Sequence, residues 1–180
     1  MSAPTPLRAA WQRAEVRFLV SFLALLGGSF FVIALHPVND AVILPYTAFV
    51  ARMSGWVLTL LGEDASVTGC IVASPRFAVT IYNGCNGLVT SLIFVSGVLA
   101  FPARWAAKLV GVLGGLIAIQ LVNLVRIVAL FYTGVFLPRF FDDSHIFLWQ
   151  SIVILFGVAL WVFWAHRLGA RTPAADTVPQ

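Results

Sequence analysis

Long apolar runs alternate with short polar segments along this chain. Residues 16–35 ("VRFLVSFLALLGGSFFVIAL") form the first run, with Arg8 and Arg13 before it and Arg17 at its start; further runs cover residues 86–101, 105–136 and 146–164. A helix needs about 20 apolar residues to cross the roughly 30 Å hydrocarbon core of a bilayer, so the pattern predicts about four transmembrane helices. The first run is too long for a signal-peptide core and no A-x-A-like site follows it, which predicts a retained helix. Residues 41–61 are less regular, because Pro45, Arg52 and Gly55 interrupt the apolar positions.

Charge decides how residues 41–61 are read. With four spans and a cytoplasmic N-terminus, the inner segments hold Arg8, Arg13, Arg17, Arg104, Lys108, Arg167 and Arg171, and the outer ones only Arg52, Arg76 and Arg139. That distribution obeys the positive-inside rule, whereas a further crossing at 41–61 sends Arg104, Lys108 and the C-terminal arginines outside. Residues 41–61 are therefore expected as a helix lying in or dipping into the outer interface. Between residues 66 and 82, two β-rich runs flank Pro75–Arg76. They predict a small β-hairpin at or above the outer surface, since open strands leave backbone groups unpaired in lipid. The fold class expected is an all-α integral membrane protein with about four transmembrane helices, an interfacial helix and an extracytoplasmic hairpin. Residues 1–170 form a single domain, and the polar, proline-containing residues 171–180 are expected to be a disordered tail.

Composition agrees. The 180 residues are 61% hydrophobic and 10% charged, against about 45–50% and about 25% in soluble domains. The net charge of +4 raises a nucleic-acid reading, but the basic residues sit in short segments beside apolar runs. Membrane topology accounts for them, with lipids as partner and no nucleic acid.

Three residues stand out as candidate chemistry at one depth. Cys85 lies in "IYNGCNGL", where a polar turn meets an apolar run. A thiol at a helix N-terminus feels the positive end of the helix dipole, and nearby cations lower its pKa further. Gly84 and Gly87 permit close backbone approach there. The competing readings are a packing cysteine or half of a disulfide with Cys70. Arg126, in "IQLVNLVRIVAL", lies about 19 residues beyond Ala107, or about 28 Å at 1.5 Å per residue, near the outer boundary. Asn123 and Gln120 share its side of the helix. Snorkelling to headgroups explains Arg126 alone, but not the aligned amides, so an inward-facing arginine is expected. His145 opens the last run after "RFFDDS", where Asp142 or Asp143 can orient the imidazole; the alternative is an interfacial histidine. His36 shares the outer side, whereas His166 falls on the cytoplasmic one. Gly111 and Gly115 carry a GxxxG spacing that predicts close packing. With no CxxC and no mid-span histidine pair, no cofactor or metal is expected.

A cysteine opening one span, an Asn-x-x-Arg on the next and a histidine heading a third resemble the exosortase/archaeosortase family. "GCNGL" places Asn86 where many members have serine, which is most similar to the exosortase H branch; the resemblance covers residues 66–164. It implies a cysteine transpeptidase of the bacterial inner membrane. Its substrates are exported proteins with a C-terminal signal made of a short motif, a transmembrane helix and a basic cluster. Cys85 is then the nucleophile, Arg126 stabilises the oxyanion or thiolate, and His145 is the general acid–base. Asn86, Gly87 and Asn123 support them. Two readings from other classes stand beside it: a small four-span transporter, and a quinone-linked thiol oxidoreductase using Cys70 and Cys85.

Overall fold

The computed structural model describes residues 13–140 and 148–169. Its main helices are α1 (Ala14–Ile33), α2 (His36–Leu60), α3 (Leu88–Ala100), α4 (Trp105–Phe136) and α5 (Gln150–Gly169). Four of these, α1, α2, α4 and α5, are long and apolar enough to cross a membrane. The protein is an all-α membrane protein with a small sheet, as the apolar runs predict; α1, α4 and α5 correspond to three of the expected spans, and α2 is the fourth long apolar helix.

Residues 86–101, expected as a span, contribute α3, whose 13 residues extend only about 20 Å. It begins at Leu88 because Gly87 adopts φ of 78°, a left-handed conformation that suits glycine. It ends at Ala100 because Phe101 is extended, as the residue before a proline, here Pro102, prefers to be.

Residues 41–61, expected as a helix lying in or dipping into the outer interface, belong to the 25-residue α2, which by length and composition is also long and apolar enough to span. Each interrupting residue is accommodated. A π turn at Asn39–Ile43 immediately precedes Leu44 and Pro45; proline lacks an N–H and its ring crowds the carbonyl four residues back, so the ladder widens there. Arg52 is exposed. Gly55 lies against Val67, where a Cβ has no room.

The sheet also exceeds the expectation. Strands β1 (Ser66–Thr68), β2 (Ile71–Ala73) and β3 (Ala78–Thr80) form an antiparallel meander in that order, with Val67 opposite Val72 and Val72 opposite Val79. The predicted hairpin around Pro75–Arg76 is β2–β3. A second, two-residue turn at Gly69–Cys70 adds β1; Gly69 has φ of 60°, the glycine-first pattern of type II′ hairpins. Cys70 therefore sits in a turn.

Two cores are strung along α4, which at 32 residues is about 48 Å long. Phe94, Val98, Ile119 and Trp164 form one, joining α3, α4 and α5. Val50, Leu58, Val72, Val79, Ile127 and Phe131 form the other, joining α2, the sheet and α4, and Cys85 belongs to it. The expected close packing at Gly111 and Gly115 is present: a Cβ on Gly111 meets Trp164 and one on Gly115 meets Phe94.

Candidate active site

Cys85 is placed by a turn that α2 and α4 hold from opposite sides. The chain leaves β3 with the Ile81 N–H donating to the Cys70 carbonyl at 2.9 Å, and the Cys85 N–H donates to the Tyr82 carbonyl at 2.8 Å. On the α2 side, Asn83 Nδ2 donates to Asn39 Oδ1 at 2.9 Å. Asn86 is the central fastening. Its Oδ1 accepts the Leu88 N–H at 3.0 Å, its Nδ2 donates to Thr47 Oγ1 at 2.9 Å, and its carbonyl accepts the Tyr46 hydroxyl at 3.3 Å. One side chain thus caps the first residue of α3 and ties it to α2. On the α4 side, Gly87 lies so close that a Cβ there stands 2.7 Å from Gln120 Nε2 and 3.1 Å from Asn123 Cγ.

Arg126 is only 2% exposed, and its Nη2 donates to Cys85 Sγ at 3.7 Å. That overturns the snorkelling alternative. Among the described residues the one salt bridge is Arg76–Glu63, so none of their carboxylates pairs with Arg126. A buried cation without a counter-charge is costly, and an anion formed at Cys85 or on a group bound beside it relieves that cost. Asn123 is fully buried, and among the described residues neither atom of its amide, nor Gln120 Nε2, nor Arg126 Nε, finds a hydrogen-bond partner. The predicted stripe of Gln120, Asn123 and Arg126 therefore faces inward beneath the Cys85 turn.

One expectation is reversed. Burial pushes the Cys85 thiol above its ordinary value, while Arg126 and the Tyr82 backbone pull it down without offsetting burial. Desolvation of the anion outweighs the attraction of the cation, so the resting group is the thiol.

The sequence-predicted residues Cys85, Arg126, Asn86, Gly87 and Asn123 meet at this point. His145, with Asp142, Asp143 and the start of the 146–164 run, lies outside the described residues, as does the 171–180 tail. His36 is exposed at the start of α2, three residues before the Asn39 that holds Asn83. His166 lies in the π turn ending α5, near Trp164, whose indole N–H donates to Ala107 at the other end of α4. No disulfide joins Cys70 and Cys85. Thr47 and Tyr46 are the site-forming residues that sequence reasoning passed over. Nothing in "LPYTAFV" distinguishes a threonine that bonds only within its helix from one that holds another segment.

No curated protein and no solved structure matches this chain. The transmembrane exosortase family model matches residues 7–165, nearly the whole chain and the whole of the turn, α4 and the segment bearing His145. The chain belongs to the transmembrane exosortase family.

Proposed function

We propose that this protein is a cysteine transpeptidase that cleaves the C-terminal sorting signals of exported proteins and passes them to an acceptor at the outer face of the bacterial inner membrane. The observation that carries this reading is the 3.7 Å contact between the Cys85 sulfur and the buried Arg126 guanidinium, in a chain of the exosortase family. Family membership supports a membrane transpeptidase acting on exported proteins with C-terminal signals; the residue roles are our assignment.

In this mechanism the Cys85 sulfur adds to the scissile carbonyl carbon after its proton leaves. Because burial keeps the thiol protonated, the reaction needs a base at the moment of attack, and His145 is assigned that role. Arg126 carries the charge that builds first on sulfur and then on the tetrahedral oxygen. His145 returns the proton to the departing amine as the C–N bond breaks, leaving a thioester on Cys85. It then takes a proton from the acceptor nucleophile, whose attack releases the sulfur. The substrate's own transmembrane helix delivers its motif to the depth of Cys85. With residues 86–101 rather than residues 41–61 making the second crossing, the segregation of arginine and lysine supports a cytoplasmic N-terminus and an outer active site.

Co-expression with exported proteins that carry a motif, an apolar helix and a basic cluster at the C-terminus tests the proposal. Their processing is expected with the native chain and is expected to stop with Cys85→Ala. Processing that continues undiminished in Cys85→Ala contradicts it.

A further inference from the structure

We infer that Thr47 positions the nucleophile for this reaction, acting through Asn86; the inference rests on Cys85 being that nucleophile. Thr47 lies on α2, outside the segments that carry the proposed catalytic residues, and is 1% exposed. Its hydroxyl is engaged twice: Oγ1 donates to the Ile43 carbonyl at 2.8 Å and accepts from Asn86 Nδ2 at 2.9 Å. The first bond points the lone pairs of Oγ1 toward Asn86. The second holds the Asn86 amide in the one orientation that leaves its Oδ1 for the Leu88 N–H. Asn86 is fully buried, so an amide that loses its acceptor finds no water to replace it, and it turns or shifts with its backbone. Cys85 is covalently next in line. Its sulfur must keep both its 3.7 Å contact with Arg126 and its line of approach to a carbonyl. Misplacement of a reacting group by about 1 Å costs on the order of a hundredfold in rate. The π turn at Asn39–Ile43 ends at the residue whose carbonyl Thr47 uses, so the local shape of α2 sets the height of this hydroxyl.

Thr47→Val keeps the shape and removes the hydroxyl, and Thr47→Ser keeps the hydroxyl. In steady-state processing of a co-expressed tail-bearing protein, Thr47→Val is expected to lower kcat roughly tenfold, with KM within about twofold. Thr47→Ser is expected to recover most of kcat. A second readout needs no substrate. In a Cys70→Ala background, the pH midpoint of Cys85 alkylation by iodoacetamide is expected to rise in Thr47→Val, because the sulfur drifts from Arg126 while its burial is retained, and to return in Thr47→Ser. A midpoint does not depend on how much folded protein is present. An unchanged midpoint, an unchanged kcat, or a Thr47→Ser variant as impaired as Thr47→Val overturns the inference. Loss of processing in Cys85→Ala together with normal Thr47→Val removes the inference and leaves the proposed function standing. Processing that persists in Cys85→Ala removes both.

Discussion

Arg126 brings a buried cation to the Cys85 sulfur, and its shape matters as much as its charge. A guanidinium offers a rigid fork of donors and stays charged when desolvated, whereas a lysine ammonium is a flexible point charge that loses its proton there. Arg126→Lys is therefore expected to insert and fold yet lose roughly 10²–10³ in processing rate, the usual effect of removing one oxyanion donor; substituting the exposed Arg139 should change little. Measured rates for the two variants at equal membrane abundance check this. Arg126 also lowers a Cys85 pKa that burial raises. Alkylation follows the thiolate, so its rate climbs as pH passes the midpoint, which should lie above that of an exposed cysteine. Removing the cation in Arg126→Met takes away the downward influence and should move the midpoint higher still; a midpoint that falls contradicts the assignment of causes. At this scale much was legible in the sequence. A cysteine between glycines and an arginine above two aligned amides mark themselves by residue type and spacing. The sign of the thiol shift was not legible, because burial is decided by Val50, Ile127 and Phe131, which converge from α2 and α4. The role of Thr47 was hidden for the same reason.

The helices show where periodicity stops being informative. Apolar runs give the number of long helices correctly, because length and hydropathy are local properties. Their membership depends on turns that a run does not display. Gly87 and Pro102 cut α3 to 13 residues, while a π turn lets α2 continue through Pro45. Packing separates neighbours in the same way. Gly114 and Gly115 are adjacent on α4, but a Cβ on Gly114 meets nothing within 4 Å, whereas one on Gly115 runs into the buried Phe94 ring. Gly115→Ala should destabilise the protein by about 1–3 kcal/mol through overpacking. Gly114→Ala should be neutral or stabilising by about 0.5–1 kcal/mol, since alanine loses less backbone entropy in a helix. Thermal unfolding of the two variants in the same detergent checks the pair, and equal loss at both positions contradicts the packing described.

As a whole, the molecule has two cores, one where α3, α4 and α5 meet and one where α2, the sheet and α4 meet, with Cys85 in the second. In the proposed orientation the first lies toward the cytoplasm, with Arg104 and Lys108 beside the start of α4. A reporter fused after Arg171 is expected to read as cytoplasmic, and an impermeant thiol reagent should reach Cys70, at the β1–β2 turn, from outside. The opposite result for either reverses the proposed orientation. The membrane class and the family were legible because composition and three short motifs carry them. The third strand was not, because Gly69–Cys70 reads as a turn only once Thr68 and Ile71 are seen to pair. The account stands most directly on a covalent bond between Cys85 and its substrate. Trapping of a tagged, tail-bearing exported protein on this chain, followed by hydroxylamine treatment, tests for it. The account predicts a hydroxylamine-labile adduct on the native chain that is absent from Cys85→Ala. An adduct that survives in Cys85→Ala, or processing of the substrate with no thiol-linked intermediate, contradicts it.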